Sequence, residues 1–553
     1  MAAAQEFDYI IVGAGSAGCV LANRLTEDDS ARALVIEAGP QDHSIFIHMP
    51  SAFAYPLAGT KYNWHYETEP EPFMNGRVMH CPRGRVIGGS SSINGMVYIR
   101  GHAFDYDAWA KRPGLENWSY FDCLPYFKKS ETRHKGGNAY RGSSGPLFVS
   151  TGSGRNPLYK AFIEAGREAG YPVTQDMNGH QQEGLGVMDR TTHKGQRWSS
   201  ARAHLRPAQS LGRVEVRTRC LVTRVLFEGR RAVGVEYVRG GVVEQARAVR
   251  EVIISGGAIN SPQILMLSGI GPADELKALG IPLLQHLPGV GENLQDHIEA
   301  YVQYECRQPV SLYSATNPLA KLKIGIEWIL TGGGLGGTNH FEAGGFIRSQ
   351  AGVVHPDLQY HFLPMAVSYD GSSAATGHGY QAHVGPMRPT SRGFVKLLSA
   401  DPRQHPRVLF NYMQTQQDRK EMRAGIRLTR EIMTQKAFDP FRGAELAPGP
   451  GAMSDEAIDA FVRDKAESAY HPSCTCRMGL DGMAVVDGDG RVHGVEGLRV
   501  VDASIMPDVI SGNLNVPVIM MAEKLADAIR GKKLLPAEKV PVWIHPNYLT
   551  QQR

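Results

Sequence analysis

The sequence lacks most of what would place it outside the ordinary globular proteins of a reducing compartment. Seven cysteines (Cys19, Cys81, Cys123, Cys220, Cys306, Cys474 and Cys476) are scattered through 553 residues, an odd number with no C-x-x-C pair. That spacing offers no framework of disulfide staples. No apolar run approaches the roughly 18 residues needed to cross a bilayer. The start, MAAAQEFDYIIVGAGSAG, reaches a strand by Phe7 and leaves no room ahead of it for a charged region, an apolar core and a cleavage site. Lys and Arg form no basic run, and a net charge of +4 is small for this length, which argues against a nucleic-acid partner. Internal repeats and low-complexity tracts are absent too. The expectation is a cytoplasmic protein, peripheral at the inner face of the membrane at most. The tail, VPVWIHPNYLTQQR, reads as a loose terminus or as a segment that docks on a surface.

Glycine, by contrast, is plentiful: 62 residues, which implies many tight turns and backbone brought close to a ligand. The chain is long for one compact core and natural for two. Phe7–Val12 reads as a buried strand, GAGSAG as a turn, the stretch to Leu25 as a helix and Ala33–Ile36 as a second strand: a βαβ opening. Val214–Val216, Val222–Phe227 and Ala232–Val238 read as a β-meander, and Glu251–Ser255 as a buried strand running into GGAINSPQILMLSGIG. Alternating stretches at Gln359–Leu363, Gln381–Val384, Phe394–Leu398 and Val408–Tyr412 predict an antiparallel sheet. Helices are expected over Pro157–Ala169, Arg419–Met433, Asp455–Lys465 and Asn515–Ile529, with a strand at Leu498–Val501.

The predicted fold class is α/β plus α+β. A Rossmann-like nucleotide-binding domain is assembled from three segments (1–140, 200–298 and 467–535). A substrate domain on an antiparallel sheet (141–199 and 299–466) is inserted, and a tail covers 536–553.

GAGSAG has the G-x-G-x-x-G spacing between strand and helix. Gly13 allows the tight turn, Gly15 admits a pyrophosphate, and Gly18 lets helix and strand pack closely. Glu37 ends the second strand where an acid can bind an adenosine ribose. These residues predict dinucleotide binding without separating FAD from NAD. RGRVIGGSSSINGM (Arg83 to Met96) offers many small donors to a pyrophosphate or a flavin edge, or is a polar surface turn. In HPSCTCRMG, His471, Cys474 and Cys476 make only three metal ligands, with no convincing fourth elsewhere, so no metal is expected. A Cys474–Cys476 disulfide would close a strained loop. Packing suits both thiols better.

GAGSAG with Glu37, RGRVIGGSSSING, SGGAINSPQILMLSGIG and HPSCTCRMG together resemble the glucose–methanol–choline (GMC) oxidoreductase family, in its order and from end to end. DHIEAYVQYECRQPVSLY, NHFEAGGFIR, LQYHFLP and VVDGDGRVHGVEGLRVVDASIMP resemble its choline-oxidising bacterial members. The resemblance implies FAD, held by Gly13, Gly15, Ser16, Ala17, Gly18, Glu37, Gly89, Ser90, Asn94, Gly95, Val222, Asp502 and Ala503. It implies oxidation of an alcohol, choline, to betaine aldehyde and perhaps on to glycine betaine. His471 is the implied base, and Asn515 in SGNLNVP the implied partner that orients the oxygen. Glu305 would meet the trimethylammonium group, with Trp64 and Tyr470 as an aromatic cage and His361 at the substrate oxygen. Ile93 stands where the family's oxidases carry a histidine bonded to the flavin, so non-covalent FAD and a quinone or other electron carrier are expected. Another primary alcohol, or a hydroxynitrile-lyase-type reaction, is the alternative.

Overall fold

The structure, a computed structural model, describes residues 5–28, 31–367 and 377–553. Its first sheet draws strands from three distant parts of the chain. These are β1 (Glu6–Val12), β2 (Ala33–Glu37), β3 (Val214–Thr218), β4 (Cys220–Glu228), β5 (Arg231–Arg239), β6 (Val242–Ile254) and β7 (Leu498–Val500). Their order is β3-β2-β1-β6-β5-β4, with β7 beside the end of β6. β3, β2, β1, β6 and β7 run parallel, whereas β4, β5 and β6 form an antiparallel meander. A parallel strand flanked on both edges is buried on both faces, so YIIV of β1 and ALVIE of β2 are continuously apolar up to the terminal Glu37.

One sequence expectation changes here. Val214–Val216 does not belong to the meander. It crosses to the far edge and pairs in parallel with β2. A short Val-rich run fits either neighbour, and pairing partners are not encoded in alternation alone.

Helix α1 (Ser16–Leu25) follows β1 and packs against α3 (Asn515–Ile529), joined by the Arg24–Glu523 ion pair (2.7 Å), whose carboxylate is fully buried. Between them in sequence lies α2 (Gly257–Leu267), which follows β6. The turn after β1 needs glycine twice. Gly13 has φ +102°, and a Cβ there would stand 2.5 Å from the Ser255 carbonyl oxygen. A Cβ on Gly18 would lie 1.9 Å from the Gly13 carbonyl oxygen, so helix and turn pack as closely as the motif predicts.

The second large sheet is antiparallel. Its order is Arg442–Ala447, Ile298–Cys306, Gly379–Pro386, Leu358–Leu363, Ala343–Ile347 and Gly184–Val187, with Glu467–Ser468 on the Ile298 end. The Gln416–Met433 helix covers it, Gly425 meeting Val384. The runs Phe394–Leu398 and Val408–Tyr412, expected in this sheet, instead give the short strands Gly393–Lys396 and Arg407–Leu409 of a separate three-stranded sheet with Glu292–Leu294. Tyr66, Met74, Met79 and Cys81 bury their side chains in the core of the second sheet. The tail is not loose. Glu538 N–H donates to the Phe121 carbonyl (2.9 Å), Trp543 N–H to His180 (3.2 Å), and Arg348 to the Gln551 carbonyl (2.7 Å). Among the described residues no helix is long and apolar enough to cross a membrane.

Candidate active site

A single cavity of about 930 Å³ runs from the glycine turn to His471, between the two sheets. At one end Gly13, Gly15, Ser16, Ala17 and Glu37 line it; further along come Gly89, Ser90, Asn94, Gly95, Val222, Asp502 and Ala503. Gly18 does not face it and serves the packing of α1 instead. The Glu37 carboxylate accepts the Ala14 N–H (2.9 Å) and the Gly39 N–H (2.8 Å), and burial pushes its pKa up to about 7. Gly89 sits on Gly15 so tightly that a Cβ would stand 2.7 Å from the Gly15 Cα. Asp502 accepts from Gly257 N–H (2.8 Å) and Ser261 Oγ (2.5 Å), which fixes the start of α2.

These features suit a dinucleotide such as FAD. A Cβ on Gly15 would have only one atom near it, at 3.9 Å, so the missing side chain leaves open room at the N-terminus of α1. A buried carboxylate lies at the end of β2, where a ribose would stand. The GGSSSING loop is held from behind by a residue that the sequence did not single out. Buried Arg197 donates to the Ser91 carbonyl (3.1 Å) and to Asn94 Oδ1 (2.9 Å). Ile93 lines the cavity and packs with Ile47 and Val86.

At the other end His471 is buried, and its tautomer follows from its partners. His297 Nε2 lies 3.0 Å from the Met387 carbonyl oxygen, which can only accept, so that nitrogen carries the proton. His297 Nδ1 is then the acceptor for His471 Nδ1–H, 3.0 Å away. His471 Nε2 is left with its lone pair toward the cavity. Burial, then His297 and His361, push the His471 pKa well below the ordinary histidine range. His297 is lowered to about 4 by burial. Both shifts favour the neutral imidazole. Asp296 Oδ1 holds the backbone of both histidines, accepting the His471 N–H (2.6 Å) and the His297 N–H (2.9 Å). Its Oδ2 takes the Ser468 and Tyr412 hydroxyls, each at 2.5 Å. Tyr470 has φ +64°, a left-handed conformation that costs about 1–2 kcal/mol. The Arg83 guanidinium holds its carbonyl (2.7 Å), and both Tyr470 and His471 line the cavity.

The asparagine beside His471 is Asn513, not the expected Asn515. Asn513 Nδ2 lies 3.1 Å from His471 Nε2. Asn515 opens α3 and its Oδ1 accepts from Ser16 Oγ (2.7 Å), so it borders the dinucleotide end. The two asparagines of NLN are separated by the start of a helix, which turns them apart.

The expected carboxylate also moves. Glu305 is exposed at the far end of its strand, where it accepts the Ala444 N–H (3.4 Å). Glu299, on the same strand, is buried and lines the cavity. His383 Nδ1 lies 3.1 Å from Glu299 Oε1, and His361 Nδ1 lies 3.8 Å from Oε2. Burial pushes the Glu299 pKa up, but the facing histidines outweigh it and hold it down at about 2. The sheet register places Tyr301, His383 and His361 side by side across three strands. Phe341 closes this corner, its ring 5.8 Å from His383 and 6.0 Å from His361. Trp64 lines the cavity too, but its ring already stacks on Tyr66 (5.8 Å) and carries the Arg85 guanidinium (4.9 Å).

Cys474 and Cys476 are fully buried and unpaired, and burial raises both thiols above the usual range. The main chain of this stretch hydrogen-bonds to 503–505, Cys476 N–H donating to the Ser504 carbonyl (2.8 Å). The cysteines pack the segment that carries His471.

Comparison with known proteins agrees with this architecture. The GMC oxidoreductase sequence profiles match residues 7–299 and 389–522. The chain is 58% identical over 547 residues to an oxygen-dependent choline dehydrogenase of Pseudomonas fluorescens, covering 98% of this chain and 96% of that one. It is 58% identical over 549 residues to the oxygen-dependent choline dehydrogenase of Serratia proteamaculans, covering 98% and 99%. Among solved structures, pyridoxine 4-oxidase from Mesorbium loti superposes with a TM-score of 0.87 at 32% identity, covering 95% of this chain and 99% of that one. The chain therefore belongs to the GMC oxidoreductase family: it is an oxidoreductase, and FAD is its cofactor.

Proposed function

We propose that the protein oxidises choline to betaine aldehyde, with His471 as the base and FAD held without a covalent bond. The observation that carries this reading is the pairing, in one cavity, of an unprotonated His471 Nε2 with the buried carboxylate Glu299. Choline has one acidic group, its hydroxyl, and one permanent charge with no N–H to donate. A carboxylate and aromatic faces are what such a cation needs. Glu299, Tyr301, Phe341 and Tyr470 supply them. The names of the 58%-identical relatives support the same substrate.

In this reading Glu299 and its aromatic neighbours orient the trimethylammonium group and leave the hydroxyl at His471 and Asn513. His471 Nε2 accepts the hydroxyl proton. Its Nδ1–H stays on His297, whose own proton stays on the Met387 carbonyl, so the relay fixes the acceptor nitrogen before substrate arrives. Asn513 Nδ2 lies 3.1 Å from His471 Nε2, so its second amide hydrogen is placed to donate to the substrate oxygen as the proton leaves. FAD, when bound, supplies the acceptor for the carbinol hydride. Ile93, a hydrocarbon buried against Ile47 and Val86, offers no atom for a flavin tether.

The acceptor that reoxidises the cofactor is read as a quinone or other carrier, from the likeness to dehydrogenases without a tether. A second reading, O2 as acceptor, is favoured by the relatives' printed name. Parallel choline-dependent rates in an oxygen electrode and with a quinone or dye under nitrogen separate the two. Steady-state oxidation of choline is the test of the reaction itself. Turnover of a simple aliphatic alcohol with none of choline would refute it.

A further inference from the structure

Two neighbouring antiparallel strands carry the same three-residue pattern, Gln359-Tyr360-His361 and Gln381-Ala382-His383. The strand period of two sets each glutamine on the same face as its histidine, and all four side chains are buried. The two histidines pair across the strands, and their Nδ1 atoms face the two oxygens of Glu299.

One backbone group orients the second pattern. Val367 N–H, which can only donate, lies 2.8 Å from Gln381 Oε1, and Gln303 Nε2 donates to the same oxygen (2.7 Å). Gln381 Nε2 is therefore the end that meets His383 Nε2, 2.6 Å away. An amide N–H needs a lone pair opposite it, so the ring proton sits on Nδ1, 3.1 Å from Glu299 Oε1. The catalytic base orients the first pattern. His471 Nε2 accepts from Asn513 Nδ2, which turns Asn513 Oδ1 to Gln359 Nε2 (3.1 Å). The other hydrogen of that amide meets His361 Nε2 (3.2 Å), which leaves the His361 proton on Nδ1, toward Glu299 Oε2. Along the whole path from the Met387 carbonyl to the Val367 N–H, each donor faces an acceptor.

We propose that Gln359 and Gln381 are positioning residues that set selectivity: by donating to Nε2 of His361 and His383 they keep both imidazoles uncharged, so that Glu299 presents its full negative charge to a quaternary ammonium group. This rests on the reading of Glu299 as the partner of the cation. A histidine beside a buried carboxylate otherwise gains by taking a proton. One imidazolium would cancel the charge of Glu299, and two would repel the ammonium group. Uncharged Nδ1–H donors satisfy the buried carboxylate without cancelling it. Glu299 and Tyr301 face His383 from one neighbouring strand and His361 faces it from the other.

The test titrates the holoenzyme with tetramethylammonium chloride at pH 8 and pH 5.5, followed by the perturbation of flavin absorbance. This reads the cation corner without turnover. Wild type should give Kd values within about twofold of each other. Gln381→Met removes the donor and keeps the volume. A histidine released to its ordinary value of about 6.5 is nine-tenths protonated at pH 5.5. The variant should therefore bind about as wild type does at pH 8 and about tenfold more weakly at pH 5.5. Gln359→Met should show the same pattern through His361, and it carries the test if Gln381→Met does not fold. It should also lower kcat for choline and for its neutral carbon isostere alike, because Asn513 loses its anchor. The proposal is overturned if wild type itself weakens about tenfold between pH 8 and pH 5.5. It is also overturned if the variants bind equally at the two pH values, whether tightly or weakly, since lost packing acts at both. Wild type that binds no cation at either pH would instead refute the Glu299 reading, and this assignment with it.

Discussion

His297 Nδ1 stands 3.0 Å from His471 Nδ1, two buried imidazoles 174 positions apart whose shared proton falls to His471 because His297 Nε2–H is committed to the Met387 carbonyl. That one contact decides which nitrogen of His471 faces the cavity. His471→Ala is expected to lower kcat with choline by about 10²–10⁴-fold at unchanged flavin content. His297→Phe removes the acceptor while leaving His471 in place, so it should lower kcat by a smaller factor with little change in KM. A His297→Phe enzyme as fast as wild type would contradict the relay.

The pH profile follows from the same contact. Burial and the neighbouring histidines depress the His471 pKa, so its neutral form persists as pH falls below the usual histidine value of about 6.5. The acid limb of kcat/KM should therefore lie below that value. A limb at or above it would mean that His471 is not the depressed group described.

Glu299 gives the substrate its selectivity in this account. Removing one partner of a buried ion pair costs about 3–5 kcal/mol, or roughly 10²–10⁴ in affinity. Glu299→Gln should raise KM for choline by a factor of that order and leave KM for its neutral carbon isostere nearly unchanged. Glu305→Gln, at the exposed end of the same strand, should behave as wild type. Equal losses for both alcohols at Glu299 would point to a steric role.

Much of this was legible in the sequence, and the misses share a cause. The βαβ opening, GAGSAG with Glu37, and the helices Asp455–Lys465 and Asn515–Ile529 stand where local pattern places them. Those features are set by neighbours in the chain. Glu299 and Glu305 share a strand face, because six residues preserve a period of two, and alternation cannot choose between them. Their separation of about 20 Å along the strand decides, and it is a tertiary fact. Asn513 and Asn515 differ only in which side of a helix start they occupy. His297 has no local signal at all. Its role depends on a ring that arrives from the other end of the chain.

Glu37 links cofactor binding to pH. Burial raises its carboxyl to about 7, so below that pH the group is protonated in the FAD-free protein. Only the carboxylate form accepts fully from ribose hydroxyls, so FAD affinity should rise between pH 6 and pH 8. Titration of apoprotein with FAD measures this, and Glu37→Gln should flatten the dependence. An affinity that falls with pH would contradict the ribose role.

Ile93 makes the simplest chemical prediction. Precipitating the enzyme with acid should release all of its flavin into the supernatant as intact FAD. Flavin that stays with the protein pellet would reveal a tether elsewhere.

The central claim is that choline gives up its hydride in the cavity that joins His471 to Glu299. Anaerobic mixing of the holoenzyme with choline tests it most directly. Wild type should lose its oxidised-flavin absorbance in a single turnover, and His471→Ala should do so at least about 100-fold more slowly. Flavin that stays oxidised with choline, yet bleaches with another alcohol, would contradict the account.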